Sequence, residues 1–197
     1  MNLKRIALAS ALSLAVFGAS AAEVAYTIDP THTVVLATWN HMGYSNPSAN
    51  FGDASGTIVY DAEAPEKSSV EVVLPMSGID SFVPKLDEHL KSADFFDAER
   101  FPQATFKSTS VRATGEGRLE VAGNLELHGV TRPVVLDVTL NKAAPHPMMN
   151  NTPTIGFDAS TTIKRSEFGI DKYVPMVSDE IALRITTEAS AKAPEAK

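Results

Sequence analysis

Apolar residues recur at every second position through most of this 197-residue chain, and that period belongs to strands with one buried face. It is cleanest at Leu119, Val121, Gly123, Leu125 and Leu127, set against Glu120, Ala122, Asn124, Glu126 and His128. Val134, Leu136, Val138 and Leu140 share one face of the next run. Ile155, Phe157, Ala159, Thr161 and Ile163 share a face of another, and Ile181, Leu183 and Ile185 of the last. Earlier runs are His32 to His41, Thr57 to Tyr60, Val70-Val72-Leu74, and Ala104 to Val111 around Phe106. These make eight strands.

Thr114-Gly115-Glu116-Gly117, His128-Gly129 and the Pro145 to Pro153 loop punctuate them. Strands this close in sequence pair as hairpins, so an antiparallel meander is expected. One stretch keeps a different period. Val83, Leu86 and Leu90 have helical spacing within Val83 to Ser92, which predicts one helix between the third and fourth strands, followed by a short turn at Asp94-Phe95-Phe96-Asp97. Eight antiparallel strands leave open edges unless they close or stack as two sheets. Alternation alone does not choose between a closed barrel and a sandwich.

The first 22 residues stand apart. Lys4 and Arg5 precede an apolar stretch from Ile6 to Phe17, and Ala19-Ser20-Ala21-Ala22 supplies small residues for cleavage. We expect a signal peptide over 1–22, a barrel domain over 23–189, a frayed tail over 190–197, and export to the periplasm; an uncleaved anchor is the rival reading. Removing the leader takes two basic residues and no acidic one, so the formal charge falls from −7 to −9. That charge argues against nucleic acid as a partner. Cysteine is absent, which excludes disulfides, thiolate metal sites and thiol catalysis.

A search for chemistry returns little. His32 and His41 are an odd number of positions apart on one run and so are expected on opposite faces, His89 is on the helix, His128 at a hairpin and His146 in a loop. None has the spacing of a metal set, and no serine sits in a nucleophile elbow. No catalytic residue, metal or cofactor is expected. Asp94 and Asp97 are expected as helix caps, Lys164-Arg165 as a solvated pair or a head-group contact, and Phe95-Phe96 as a plug or a lid on the core.

The inward rows mix small and large residues. Ala104, Ser108 and Ser110 accompany Phe106, Ala159 and Thr161 follow Phe157, and Gly123 interrupts the Leu119 row. Such rows either leave a lumen or pack against bulky partners such as Trp39. The lumen candidates are Trp39, Phe106, Leu119, Val121, Leu125, Leu136, Phe157 and Leu183. If Gly123 faces inward, a bulky residue there is expected to block the lumen without unfolding the barrel.

Several segments together resemble the YceI-like family. They are Asp29-Pro30-Thr31-His32-Thr33 with Asn40 to Ser45, His89 to Asp97, Phe101 to Thr109, Gly123 to Thr131, Ile163 to Ile170, and Val177-Ser178-Asp179-Glu180. The resemblance runs in order from about Ala25 to Ala189, with Trp39 and Pro47 as departures. It implies an all-β, eight-stranded, lipocalin-like antiparallel barrel covered on one side by a helix. Its implied ligand is a polyisoprenoid, an isoprenoid quinone or a similar long-chain lipid, in a periplasmic or secreted protein without catalytic residues. A membrane is then the expected transient donor or acceptor, and a dimer is compatible with the sequence. The alternatives carried with this reading are a filled, structural barrel, and an enzyme acting on a lipid head group through His32, His41 or His128.

Overall fold

The computed structural model describes residues 23–191; the stretch read as a leader, 1–22, lies outside the described residues, as does 192–197. The strands are β1 (Val24–Ile28), β2 (Val34–Thr38), β3 (Ser48–Phe51), β4 (Ser55–Tyr60), β5 (Ser69–Pro75), β6 (Ile79–Asp80), β7 (Gln103–Gly115), β8 (Arg118–Leu127), β9 (Val130–Pro145), β10 (Pro153–Lys164) and β11 (Glu180–Ala191). One helix, α1 (Pro84–Lys91), interrupts them.

Eleven segments make only eight barrel staves, because three staves are broken. β1 and β2 both lie antiparallel to β11, along successive parts of it, and so form one kinked stave. β4 pairs with β1 and β3 with β2; β5 pairs with β4 and β6 with β3. From there the meander runs β5–β7–β8–β9–β10–β11, and β11 closes onto β1 through Tyr26↔Ala191 and Ile28↔Ala189. Closure removes the edges that an open sheet would expose.

The first stave breaks at Asp29-Pro30-Thr31-His32. Pro30 starts a short 3-10 turn, and the Asp29 carboxylate caps it by accepting from the Thr31 amide at 2.8 Å and the Thr31 hydroxyl at 2.6 Å. His32 Nδ1 lies 2.8 Å from the same carboxylate. Bonds from Thr31 and His32 hold Asp29 down at about 2, and the Asp29 carboxylate raises His32 above its ordinary 6.5. The two contributions therefore coexist between about pH 4 and 6.5: Asp29's fades as pH falls from 3.8 toward 2, and His32's fades as pH rises through its elevated value. In Asp29→Asn the His32 titration midpoint, followed by NMR, is expected to drop toward 6.5; an unmoved midpoint would remove the pair from the account.

The expected eight staves and single helix are present, with α1 within one residue of each expected end. The extents differ. The run from His32 to His41 contracts to β2, so the parity argument for those two histidines has no strand to act on: His32 is in the exposed turn and His41 forms a bridge with Ser45 and Val177 beyond the strand end. β1, β3 and β6 carry too few alternations to stand out. β11 runs to Ala191, two residues into the stretch read as tail, and Ser190 Oγ meets Thr154 Oγ1 at 3.0 Å. On β7 the register shifts between Ser108 and Ser110. That bulge turns Ser110 outward and Val111 inward, against strict alternation.

Candidate functional site

The inward rows of the staves do not meet at the barrel axis. They enclose two apolar chambers in line, of about 160 Å³ and about 220 Å³. Val35, Leu74, Leu125 and Leu183 belong to both walls and form a waist between them. For scale, a dry apolar cavity of roughly 150 Å³ accommodates benzene. Each chamber thus takes a short hydrocarbon segment, and the pair in line suits a chain.

The first chamber lies toward the β1–β4 end and presents no polar surface to the void. Two of the hydroxyls near it are engaged with each other: Thr33 Oγ1 donates to the Asp29 carbonyl at 2.7 Å and meets Thr187 Oγ1 at 2.8 Å. The Tyr60 ring lies edge-on to Phe157 at 5.7 Å. Burial is the largest cause raising the Tyr60 phenol above its ordinary value, with Tyr26 and Asp61 acting in the same direction.

Of the eight lumen candidates, Phe106, Leu119, Val121, Leu136 and Phe157 line the first chamber, Leu125 and Leu183 sit at the waist, and Trp39 lines the second chamber. The small residues split. Ala159 and Ala104 leave real room, on the first and second chambers respectively. Gly123 does not: a Cβ built on it lies 2.4 Å from Phe106 Cζ and 2.7 Å from the Lys107 carbonyl oxygen. The ring of Phe106 already covers that glycine from the neighbouring strand, so a bulky residue at 123 disturbs the wall and not an empty lumen. Gly123→Ala alone is expected to cost about 1–3 kcal/mol in chemical denaturation through overpacking; an unchanged midpoint would mean the sheet yields freely there.

The second chamber is roofed by two segments that are not staves. One is α1 with the turn after it, contributing Leu86, His89, Leu90, Phe95 and Phe96; the other is the loop 169–179, contributing Ile170, Tyr173 and Val177. Phe96 packs edge-on against Phe51 at 5.4 Å, and Phe95 against His89 at 4.8 Å. α1 has no side-chain N-cap; instead Asp87 accepts from the Ser81 amide at 2.7 Å. The capping role expected of Asp94 is absent too, because its carboxylate reaches Lys172 Nζ at 2.5 Å.

Arg165 was expected at the surface, and it is 6% exposed. Its Nε donates to the Ser178 carbonyl at 2.9 Å, its Nη1 to Ile170 and Lys172 at 2.9 Å each, and its Nη2 to Val177 at 3.0 Å. One guanidinium therefore folds the whole 169–179 loop. Among the described residues no carboxylate forms an ion pair with it; Asp179 instead accepts from the Ser166 amide and hydroxyl at 2.8 Å. Burial lowers the Arg165 pKa, opposed by the nearby charges of Asp179 and Asp171. A sequence signal existed: position 165 continues the inward parity of Ile155 to Ile163.

The histidines are dispersed. His41 and His89 border the second chamber, His128 Nδ1 lies 3.0 Å from the Phe168 carbonyl oxygen, and His32 is in the capped turn. Among the described residues no three His, Cys, Asp or Glu side chains are grouped to hold a metal. His32, His41 and His128 do not form a constellation.

A family model described as the YceI-like domain matches residues 26–189. The chain belongs to the YceI-like family. A UPF0312 protein of Azotobacter vinelandii is 38% identical over 189 residues, which cover 94% of this chain and 97% of that protein. BcnA of Burkholderia cenocepacia has the same fold, with a TM-score of 0.74 at 24% identity over 82% of this chain and 99% of that one. A polyisoprenoid binding domain from Saccharophagus degradans, implicated in plant cell wall breakdown, aligns with a TM-score of 0.64 at 14% identity, over 86% and 99% of the two chains. In this chain the YceI-like segments serve the roof and the kinks: Asp29 to Thr33 breaks the first stave, His89 to Asp97 ends α1, and Ile163 to Ile170 carries Arg165.

Proposed function

We propose that this chain is a carrier or reservoir for a polyisoprenoid, an isoprenoid quinone or a similar long-chain amphiphile, held lengthwise through the two chambers. The observation that carries the reading is the lumen itself: two apolar chambers that share the Val35, Leu74, Leu125 and Leu183 walls, inside a barrel closed through β1 and β11. The likeness in fold to a polyisoprenoid binding domain supports the same class of ligand. The eight lumen candidates are the proposed ligand contacts.

Shape and burial suffice for the task. Ten methylene equivalents buried at about 0.8 kcal/mol each amount to ~8 kcal/mol gross, and association costs at least ~4 kcal/mol of it. The remaining ~4 kcal/mol corresponds to a dissociation constant of about 1 mM, and each further methylene tightens binding roughly four-fold. A long isoprenoid thus binds tightly with no polar contact at all. The reading is one of binding, with no bond made or broken. The leader-like residues 1–22 support export to the periplasm, with a membrane as donor and acceptor of the lipid.

Native mass spectrometry of the chain produced with its leader and recovered from the periplasm, followed by organic extraction, tests this. A co-purifying apolar chain of defined mass is expected. Repeated recovery of lipid-free protein that also refuses added isoprenoid would overturn it.

A further inference from the structure

The two ends of the lumen are closed in different ways. At the first chamber the closure is core: Ile155 and Ala189 are almost fully buried, and the β4–β5 connection is tied by Asp61, whose carboxylate accepts the Glu63 and Ala64 amides at 2.9 Å. Opening that end breaks backbone bonds. At the second chamber, α1 with its following turn meets the loop 169–179 only through side chains. Asp94 bonds Lys172 at 2.5 Å, the Phe95 and Tyr173 rings stand 6.2 Å apart, and His89 and Tyr173 6.5 Å apart. Among the described residues no backbone hydrogen bond joins the two segments. The backbone bonds of 169–179 run within itself and to Asn40, Met42, Arg165 and Ser166, and those of 84–98 run within its own turns and to the flanking Val83, Arg100 and Phe101.

Resting on the proposed lipid-binding reading, we infer that the seam between the Asp94–Phe95 turn and the Lys172–Tyr173 loop is the door through which the ligand enters and leaves, latched by the Asp94–Lys172 pair. The loop leaf is pinned by the four bonds from Arg165 to its carbonyls, so the α1 leaf is the one that swings. Its outward motion breaks the Asp94–Lys172 pair, parts the His89 and Phe95 rings from Tyr173, lifts Phe96 from Phe51 and frees Lys91 from the Ser77 carbonyl, leaving the barrel ladder whole. A surface pair of this kind is weak enough to open on thermal fluctuation. Tyr173, which lines the chamber and is also 42% exposed, marks where the lumen reaches the outside.

The absence of native cysteine allows a clean test. In Asp94→Cys/Lys172→Cys a cleavable bismaleimide ties the leaves together, and a reductant frees them. The probe is retinol, a short fluorescent isoprenoid, and the readout is energy transfer from Trp39, the only tryptophan and part of the second chamber. Uptake and release are expected to slow at least ten-fold in the tied protein and to recover on cleavage. Asp94→Asn, with the latch loosened and no tether, is expected to exchange several-fold faster than the native chain. Equal rates before and after cleavage would overturn the door while leaving the lumen reading intact. Failure of the native chain to take up retinol or a longer isoprenoid at any concentration would overturn the lumen reading and the door with it.

Discussion

Leu125→Trp is expected to abolish loading by long isoprenoids while sparing binding of a small apolar probe. Leu125 lies on the walls of both chambers, and an indole at the waist cuts the lumen in two. A chain confined to one chamber forfeits the burial it had in the other. For about five methylenes at about 0.8 kcal/mol each the loss is ~4 kcal/mol, or roughly a thousand-fold in affinity. Overpacking costs the fold about 1–3 kcal/mol, so thermal unfolding serves as the control for a native barrel. Lipid extraction and mass spectrometry give the loading. A variant that carries the same long lipid as the native chain would show that the ligand does not thread the waist.

Arg165→Met is expected to be the most destabilising single change in the chain. Methionine keeps an unbranched apolar stem but removes the donors that satisfy Ile170, Lys172, Val177 and Ser178. Their carbonyls must then find water or remain unpaired. Breaking a buried charge network of this kind costs about 3–5 kcal/mol, which lowers Tm by about 10 °C in a domain of this size. Arg165→Lys is expected to recover only part of it, because one ammonium cannot fork to four carbonyls around it. Calorimetry checks both. A Met variant within 1 kcal/mol of the native chain would show that the loop holds itself without the guanidinium.

Strand parity made the barrel legible and the roof illegible. The rows of β8, β9, β10 and β11 point inward as their alternation demands and, together with Phe106 on β7, set seven of the eight lumen candidates on the chamber walls. Only Trp39 came from the second chamber proper, because most of that chamber is walled by α1, the Phe95-Phe96 turn and the 169–179 loop. A period of two says nothing about how such segments fold back over a barrel end. The β7 bulge defeated parity locally at Ser110. Gly123 misled for a different reason: a missing side chain reads as empty space in one strand, whereas the neighbouring strand fills it with Phe106. Arg165 was misread although parity placed it inward, since composition suggests a paired, solvated cation and the chain instead supplies four carbonyls for it.

Closure of the ring through Tyr26 and Ala191 also bears on how the chain acquires its shape. The pairing that seals the wall joins residues almost a whole domain apart, so its loop-closure entropy is met before any reward from that contact. Until the last stave is in place, the growing sheet keeps two unpaired borders and a wet, half-formed interior. Slow, late-sealing assembly with an aggregation-prone interval is therefore expected, and an apolar guest present during that interval is more easily enclosed than one offered afterwards.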